Sequence, residues 1–471
     1  MVSQKLSRII LKMSGSSSNY KYKDVFTRII KTKKIIWIPL FVLFLLSIIE
    51  ITFSLVYSKS NKYFVKDKNS TQEIVFNAAL LAKYYNGITS VPYNYCTTFK
   101  KEKAKNSYRV FLLGEASLSG WPYSTERSVQ KRVEKIIGES KTNKNVEIIT
   151  ISMAGFNSSL ALDLIPQIIK YNPDLIFLYA GHNEFYGYKG YTETIGKSEF
   201  FLIDAVEDFL IKNSLLKSIG YNSYYDDLEV LLPMNSNEQI LDQKQNKYKK
   251  IKDRFYSNIL EITSLCKEHK INVVLSALPD NYFLPPVGVT NENGNISADI
   301  TYNNARMALL RDGDQNTAIK LFEKAKDMDA FRLRIPEEFL KILKSIAKEE
   351  EVSFADIKSE FISRSINCVP GNDYFLDYIH PNSDGLDIIA SIYSQAILRN
   401  LREKTFPCDK ENIFRKVDPF CQRDSVLAKE RINKSMTMIK QYSKKLNGQE
   451  ISMMGKSSAT KNEFNAANKI F

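Results

Sequence analysis

The chain has 471 residues, of which 44% are hydrophobic, and it contains only three histidines. This composition is typical of a globular protein of one large or two modest domains, and it excludes collagen-like, low-complexity and disulfide-scaffold classes. The formal charge of +13 lies at the ends, because residues 1–34 carry nine cations and one anion and residues 429–471 carry nine cations and three anions. The near-neutral remainder, which has no zinc-finger, RNP or homeodomain pattern, argues against nucleic-acid binding.

An apolar run of 23 residues, interrupted only by Glu50, extends from Ile35 to Tyr57. As a helix rising about 1.5 Å per residue, it is long enough to cross the ~30 Å hydrocarbon core of a bilayer. The dense cations of residues 1–34 predict a cytoplasmic N-terminus. No small-x-small cleavage site follows the run, so the pattern predicts an uncleaved, single-pass signal anchor. Everything after about residue 58 is then expected outside the cytoplasm, in a periplasmic or extracellular space.

The five cysteines form no CxxC pair, so the sequence suggests neither a zinc site nor a thioredoxin-like centre. One or two disulfides are compatible with an extracytoplasmic location, and Cys408 and Cys421 are the nearest pair in sequence. The odd number leaves at least one free thiol or an intermolecular bridge.

After residue 107 the chain alternates short β-rich runs with amphipathic, helix-like stretches. The four runs are Tyr108–Leu113, Val146–Ile151, Asp174–Ala180 and Asn272–Leu278. Near-continuous apolar strands separated by helices predict an α/β protein with three α/β/α layers and a doubly wound, mainly parallel sheet. Ligands of such sheets bind outside the carboxyl ends of the strands, so the loops after these runs are the expected functional region.

The predicted organisation has five parts. They are a basic cytoplasmic segment (1–34), the anchor (35–57), a juxtamembrane region (58–107) with a helix around Thr71–Tyr85, the α/β domain (108–401) and a C-terminal extension (402–471) that is expected to lack structure after about Lys444. Two segments interrupt the α/β domain. Residues 221–250 are rich in Asn, Tyr and Asp, which predicts a surface insertion. Residues Ala305–Ala330 resemble one tetratricopeptide-type helical hairpin within a helical insertion of about 299–350, which is either a lid or a surface for a protein partner.

Unusual residues occupy the loops after the first three runs and one late block. The loops are Gly114–Gly120, Ser152–Asn157 and Gly181–Phe185, and the late block contains Asp377 and His380. Residues three apart on a turn share a face, so the carboxylate can accept the imidazole Nδ1–H and leave Nε2 as a general base. A serine at a strand-to-helix turn is then the expected nucleophile.

Three groups in these loops are suited to stabilise an oxyanion. They are the backbone N–H groups of Ser117 and Gly155 and the side-chain amide of Asn183. The sequence suggests no cofactor, and it has no second cluster of His or carboxylate residues at metal-ligand spacing.

The four blocks, in this order and strand context, resemble the SGNH/GDSL hydrolase superfamily over about residues 108–399. Gly155, Asn183, Asp377 and His380 match its motifs residue by residue. The resemblance implies an SGNH, flavodoxin-like fold and serine-dependent ester chemistry. It extends to membrane-anchored members that carry tetratricopeptide-like insertions.

The sequence departs from this pattern at the nucleophile, where Ala116 occupies the usual serine position. One interpretation is that the turn is reset by one residue and Ser117 attacks. A second is that the site has lost its nucleophile and only binds, and a third uses Ser119 or a water molecule.

Four further residues are candidates for contact with substrate. His182 and Glu184 flank Asn183. Alternatively, His182 is a structural or solvent-exposed imidazole, and Glu184 forms a hydrogen bond that fixes the loop. Arg332 and Arg334 are suited to clamp an anionic group, or else they are charged positions on a helix face.

The leading hypothesis is therefore a membrane-anchored, extracytoplasmic serine esterase, acyl hydrolase or O-acyltransferase. Ser117, Asp377 and His380 would be catalytic, and Gly155 and Asn183 would form the oxyanion hole. The resemblance implies ester groups, above all O-acetyl groups, of envelope glycans or lipids as substrates. The alternative is a catalytically silent envelope protein that binds a glycan or a protein partner.

Overall fold

The computed structural model describes residues 63–67, 72–77, 80, 84, 94–140, 142–186, 188–190, 243–288, 297–401 and 422–453, with the side chains of 426–441 in the last range. The predicted anchor, the basic segment before it, most of the 221–250 insertion, Cys408 and Cys421 lie outside these residues. The three described cysteines are free thiols. None of the described helices combines the length and the apolar composition that a membrane crossing requires.

The described residues form nine strands and nine α-helices. The strands are β1 (Phe64–Lys66), β2 (Glu73–Phe76), β3 (Asn94–Cys96), β4 (Phe99–Lys100), β5 (Ser107–Glu115), β6 (Asn145–Met153), β7 (Leu175–Tyr179), β8 (Asn272–Ser276) and β9 (Ser353–Ala355). The helices are α1 (Val129–Glu139), α2 (Ser158–Ile168), α3 (Asn246–Glu268), α4 (Ala298–Leu310), α5 (Gln315–Met328), α6 (Glu337–Glu349), α7 (Ile357–Arg364), α8 (Ser383–Asn400) and α9 (Gln422–Met453).

The main sheet has six strands in the order β3-β6-β5-β7-β8-β9. Strands β5 to β9 are parallel, and β3 pairs with β6 in the antiparallel sense. The predicted α/β class with a mainly parallel sheet is therefore confirmed, and all four predicted strands are present. The direction of strand addition reverses between β5 and β7, so the loops after these two strands flank the crevice in which doubly wound sheets bind ligands.

The helices cover the sheet in two groups, as right-handed crossovers require. The connection from β5 to β6 crosses the sheet in the opposite direction to the later connections. Helix α1 therefore lies on one face of the sheet, and α2, α3 and α6 lie on the other. The contacts agree, because α1 packs with α8, while α3 packs with both α2 and α6. Residues of β5 and β7 between the layers are fully buried, as near-continuous apolar strands predict.

Two expectations about the ends of the described chain were wrong in part. Although Tyr84 is helical, the helix expected around Thr71–Tyr85 does not include the first part of that range, because Glu73–Phe76 is a strand between β1 and β4. Its side chains alternate in burial, which is the period of a strand. The chain was also expected to lack structure after about Lys444, but α9 continues to Met453.

The helical hairpin predicted within Ala305–Ala330 is present as α4 and α5, with Gly313 at a φ of +65° in the turn between them. A buried ion pair joins it to the sheet. Lys326 Nζ on α5 lies 2.8 Å from Asp280, which follows β8, and 2.7 Å from Glu337 at the start of α6. The hairpin is thereby held beside the carboxyl ends of the strands.

Candidate active site

The turn after β5 is tied to the turn after β7 by a buried carboxyl group. Glu115 Oε1 accepts hydrogen bonds from the backbone N–H groups of Gly181 at 2.9 Å and His182 at 2.8 Å. Burial raises the pKa of Glu115 well above its ordinary value, and the N–H donors offset only part of that rise. Gly114 permits the close approach, because a Cβ at this position would lie 2.4 Å from the carbonyl oxygen of Tyr179.

Residues Ala116–Ser119 form a single 3-10 turn at the carboxyl end of β5. Ala116 belongs to a buried apolar cluster with Trp121 and with Ile432 of α9. Ser119 is committed to the backbone, since its hydroxyl donates to the Ala116 carbonyl at 2.5 Å.

Ser117 is 1% exposed and lies beside the phenol of Tyr179 on β7. Burial raises the pKa of Tyr179 well above its ordinary value, and the neighbouring Ser117 hydroxyl partly opposes this. Among the residues that the structure describes, Ser117 forms no hydrogen bond to His380. Its role as nucleophile stays a prediction.

The predicted Asp-His pair is assembled. His380 Nδ1 lies 2.7 Å from Asp377 Oδ2, and the other oxygen of Asp377 accepts the N–H groups of Ile379 and His380 at 2.9 and 2.8 Å. Burial by itself would raise the pKa of Asp377, but attraction to His380 and these hydrogen bonds hold it below its ordinary value. The carboxylate is therefore ionised and orients the imidazole with Nε2 facing away from it.

The imidazole of His380 is open on one side and packed on another. Its side chain is 10% exposed, and its ring centroid lies 4.3 Å from that of Trp121. Nε2 has no hydrogen-bond partner within the described part of the chain. The nitrogen is free to take a proton from an incoming hydroxyl group.

The two predicted oxyanion residues lie in the turns next to β5. Gly155 follows β6 with a φ of +66°, a backbone conformation that favours glycine. Asn183 is buried in the 3-10 turn after β7. Because β6 and β7 flank β5 in the sheet, both turns border the Ala116–Ser119 turn.

His182 and Glu184 are held by protein partners. His182 Nδ1 accepts the N–H of Ile335 at 3.0 Å, and burial lowers the pKa of this imidazole well below its ordinary value, so it is neutral. Glu184 accepts the N–H and the hydroxyl of Ser158 at the start of α2, each at 2.7 Å. Both side chains thus connect the β7 turn to neighbouring segments.

Arg332 and Arg334 lie in the segment between α5 and α6, and both are buried. Arg334 donates to the carbonyls of Asn281 at 3.0 Å and Leu284 at 3.3 Å. Arg332 donates to the Asp327 carbonyl and lies over the ring of Tyr248. The helix-face alternative was wrong for both, because this segment is not helical.

Helix α9 is the part of the site that the sequence hypothesis did not include. Ile432 and Met436 pack at the Ala116–Trp121 cluster, and Arg431 donates to the Pro122 carbonyl at 2.7 Å. Apolar residues at 428, 432, 436 and 439 follow helical spacing, so a signal for an amphipathic helix was present. Within the described residues, no group of three His, Cys, Asp or Glu residues is placed to hold a metal ion.

Glu184 provides a test of the burial in this region. Burial, opposed by the Ser158 hydrogen bonds, raises the pKa of Glu184 from 4.5 to about 7. The folded state then holds the proton more tightly than the unfolded state, so the free energy of unfolding falls as the pH rises through this window. Glu184→Gln removes that dependence. As the pH rises from 4.5 to 8, the free energy of unfolding of the variant should therefore increase by roughly 3 kcal/mol relative to that of the native chain. Urea unfolding at several pH values measures this difference, and Glu349→Gln, at an exposed position, is the control. If the free energy of unfolding depends on pH in the same way for the Glu184 variant and the native chain, the prediction is wrong.

Known proteins were compared with the chain by sequence and by structure. No family model and no curated protein matches it. Solved structures that resemble it include a GDSL-like lipase from Bacteroides thetaiotaomicron (16% identity, 63% of this chain and 91% of that one, TM-score 0.32). Others are a lipase/acylhydrolase from Enterococcus faecalis (12% identity, 64% and 100%, TM-score 0.34) and the acetylxylan esterase Axe2 from Geobacillus stearothermophilus (10% identity, 64% and 98%, TM-score 0.32). At this level of similarity, neither the fold nor the activity of those proteins can be assigned to this chain.

Proposed function

We propose that the chain is an SGNH-type esterase that cleaves O-acyl esters with His380 as the general base. The observation that carries the proposal is the Asp377–His380 pair, which is hydrogen-bonded at 2.7 Å and has an open Nε2. A buried, ionised carboxylate on Nδ1 stabilises the imidazolium that forms when Nε2 accepts a proton. Such an arrangement has little use in a protein that only binds.

The proposed chemistry begins with attack of a hydroxyl oxygen on the ester carbonyl, while its proton passes to His380 Nε2. The carbonyl oxygen gains the negative charge, and the N–H of Gly155 and the amide of Asn183 are the proposed donors to it. Collapse of the intermediate breaks the bond to the alcohol, which leaves with the proton from His380. The same residues serve a hydrolase or an O-acyltransferase, depending on whether water or a second alcohol receives the acyl group.

The proposed substrates are ester groups, above all O-acetyl groups, of envelope glycans or lipids. Support comes from the resemblance of the sequence blocks to anchored SGNH members and from the apolar run at residues 35–57. This run, with its upstream cations, would place the α/β domain outside the cytoplasm. Alkaline phosphatase fused after residue 62 should be active in a bacterial host, and the same enzyme fused after residue 34 should be inactive. The reverse pattern would contradict the proposed topology.

The function is tested by hydrolysis of p-nitrophenyl acetate and of acetylated glycan oligomers by the full-length chain in detergent. Activity above the buffer rate that disappears in His380→Ala supports the proposal. Folded protein with no activity that depends on His380 would reject it.

A second candidate function is a catalytically silent binding protein. It is favoured by the packing of the Ala116 methyl group against Trp121 and Ile432 at the usual nucleophile position. This function is favoured if neither the native chain nor its His380→Ala variant hydrolyses esters and the variant still retains glycan oligomers.

A further inference from the structure

Helix α9 presents one buried face to the body of the protein. Ala428, Ile432, Ser435 and Ile439 recur at spacings of three and four residues and are all buried. These positions lie on one side of an α-helix. Ser435 is near the centre of that face, and it is the polar residue among apolar neighbours.

The Ser435 hydroxyl is 1% exposed and has no hydrogen-bond partner among the residues that the structure describes. A serine inside a helix ordinarily donates to the carbonyl four residues earlier. Several hydroxyl groups in helices of this protein do so; for example, Thr437 donates to Asn433 at 2.7 Å and Ser394 donates to Ala390 at 2.8 Å. Ser435 does not form that bond, and its hydroxyl is buried.

The apolar clusters on either side of Ser435 contain neighbours of the Asp377–His380 pair. One turn before Ser435, Ile432 joins the cluster of Ala116 and Trp121, and Trp121 packs on the His380 ring. One turn after it, Ile439 joins the cluster of Tyr378, which stands between Asp377 and His380 in the sequence. Met436, next to Ser435, packs against both clusters.

Ser435 Oγ and His380 Nε2 therefore lie near the same two clusters, and they form no hydrogen bond to each other among the described residues. His380 Nε2 needs a hydroxyl donor, and Ala116 offers none at the usual nucleophile position. The Ser435 hydroxyl is a donor without an acceptor within the described part of the chain, and burying such a group costs free energy, so its presence there requires an explanation.

We propose that Ser435 is the nucleophile of this site, supplied by α9 in place of the serine that position 116 lacks. The proposal rests on the esterase function proposed above. Ser435 Oγ forms a bond to the acyl carbon while its proton moves to His380 Nε2. The ester C–O bond then breaks, and the alcohol leaves with that proton. In the second half, water bonds to the acyl carbon, gives a proton to Nε2, and releases the acid as the Ser435 oxygen recovers the proton.

The experiment treats the full-length chain with a fluorophosphonate probe, maps the adduct by mass spectrometry, and measures hydrolysis of p-nitrophenyl acetate. We expect the adduct on Ser435, its loss in His380→Ala, and a fall in kcat of about 10³-fold or more in Ser435→Ala. Thr437→Ala, which removes a hydroxyl from the exposed face of the same helix, is the matched control and should keep full activity.

Stability separates the proposed role from simple packing. Ser435→Ala removes an unpaired buried hydroxyl, so the urea midpoint should stay the same or rise while the activity falls. Full activity in Ser435→Ala that still depends on His380, or an adduct on Ser117, would overturn this proposal and leave the esterase function standing. Absence of any activity that depends on His380 would reject both.

Discussion

Replacing Asp377 by asparagine is expected to lower kcat/KM for ester cleavage by about 10⁴-fold with little change in stability. The Asp377 carboxylate holds the proton of His380 on Nδ1 through a 2.7 Å hydrogen bond. An asparagine can place its NH₂ group against Nδ1, which moves the imidazole proton to Nε2 and removes the base. Its carbonyl oxygen still accepts the N–H groups of Ile379 and His380, so the loop should keep its shape.

The control for this variant is Asp373→Asn. Asp373 is a nearby carboxylate that accepts the N–H groups of Ile366 and Gly371 and is not hydrogen-bonded to His380. This variant should retain hydrolysis within a few-fold. Steady-state kinetics and urea unfolding of both variants are the measurements. If Asp377→Asn hydrolyses esters as fast as the native chain, the Asp377–His380 pair is not the catalytic base.

Replacing Ala116 by serine is expected to create a second reactive hydroxyl and to raise ester hydrolysis by about 10²-fold when Ser435 is absent. Ala116 starts the 3-10 turn after β5, and its methyl group lies in the cluster with Trp121, which packs on His380. A hydroxyl added to that carbon would lie on the side of the turn that faces the dyad. The side chain of Ser117, one residue later, lies beside Tyr179 instead.

The Ala116→Ser change is best made in a Ser435→Ala chain, so that adducts at the two positions are read separately. Fluorophosphonate labelling followed by peptide mapping should place the adduct at position 116. Adding His380→Ala as a third change should abolish the labelling. Labelling that survives the loss of His380, or no labelling of a folded protein, would show that position 116 does not face the dyad.

The amino-acid sequence by itself determined the strand-forming runs and the loops that carry chemistry. Strands β5 to β8 are near-continuous apolar runs, and such runs indicate burial on both faces without any knowledge of their neighbours. The Asp377–His380 pair was also predictable, since residues three apart on a turn meet through local geometry alone. The absence of a serine at position 116 is likewise a property of the sequence.

The short elements escaped prediction for a reason of length. Strands β3 and β9 have three residues each, which is too few for any period to be recognised. They are strands because β6 and β8 offer hydrogen-bonding edges beside them. The run Glu73–Phe76 has the composition of a strand, but only its pairing with β1 and β4 decides against a helix.

Only the tertiary structure decided which side chains meet around His380. Arg431 contacts Pro122 across 309 positions of sequence, and Ile432 joins the cluster of Ala116 and Trp121. Such contacts depend on where the completed sheet and its helices leave an apolar surface to cover. The direction of Ser117 toward Tyr179 depends in the same way on the turn geometry next to β7. Local pattern determines which residues form an element, whereas the approach of distant elements determines which of their side chains can act together.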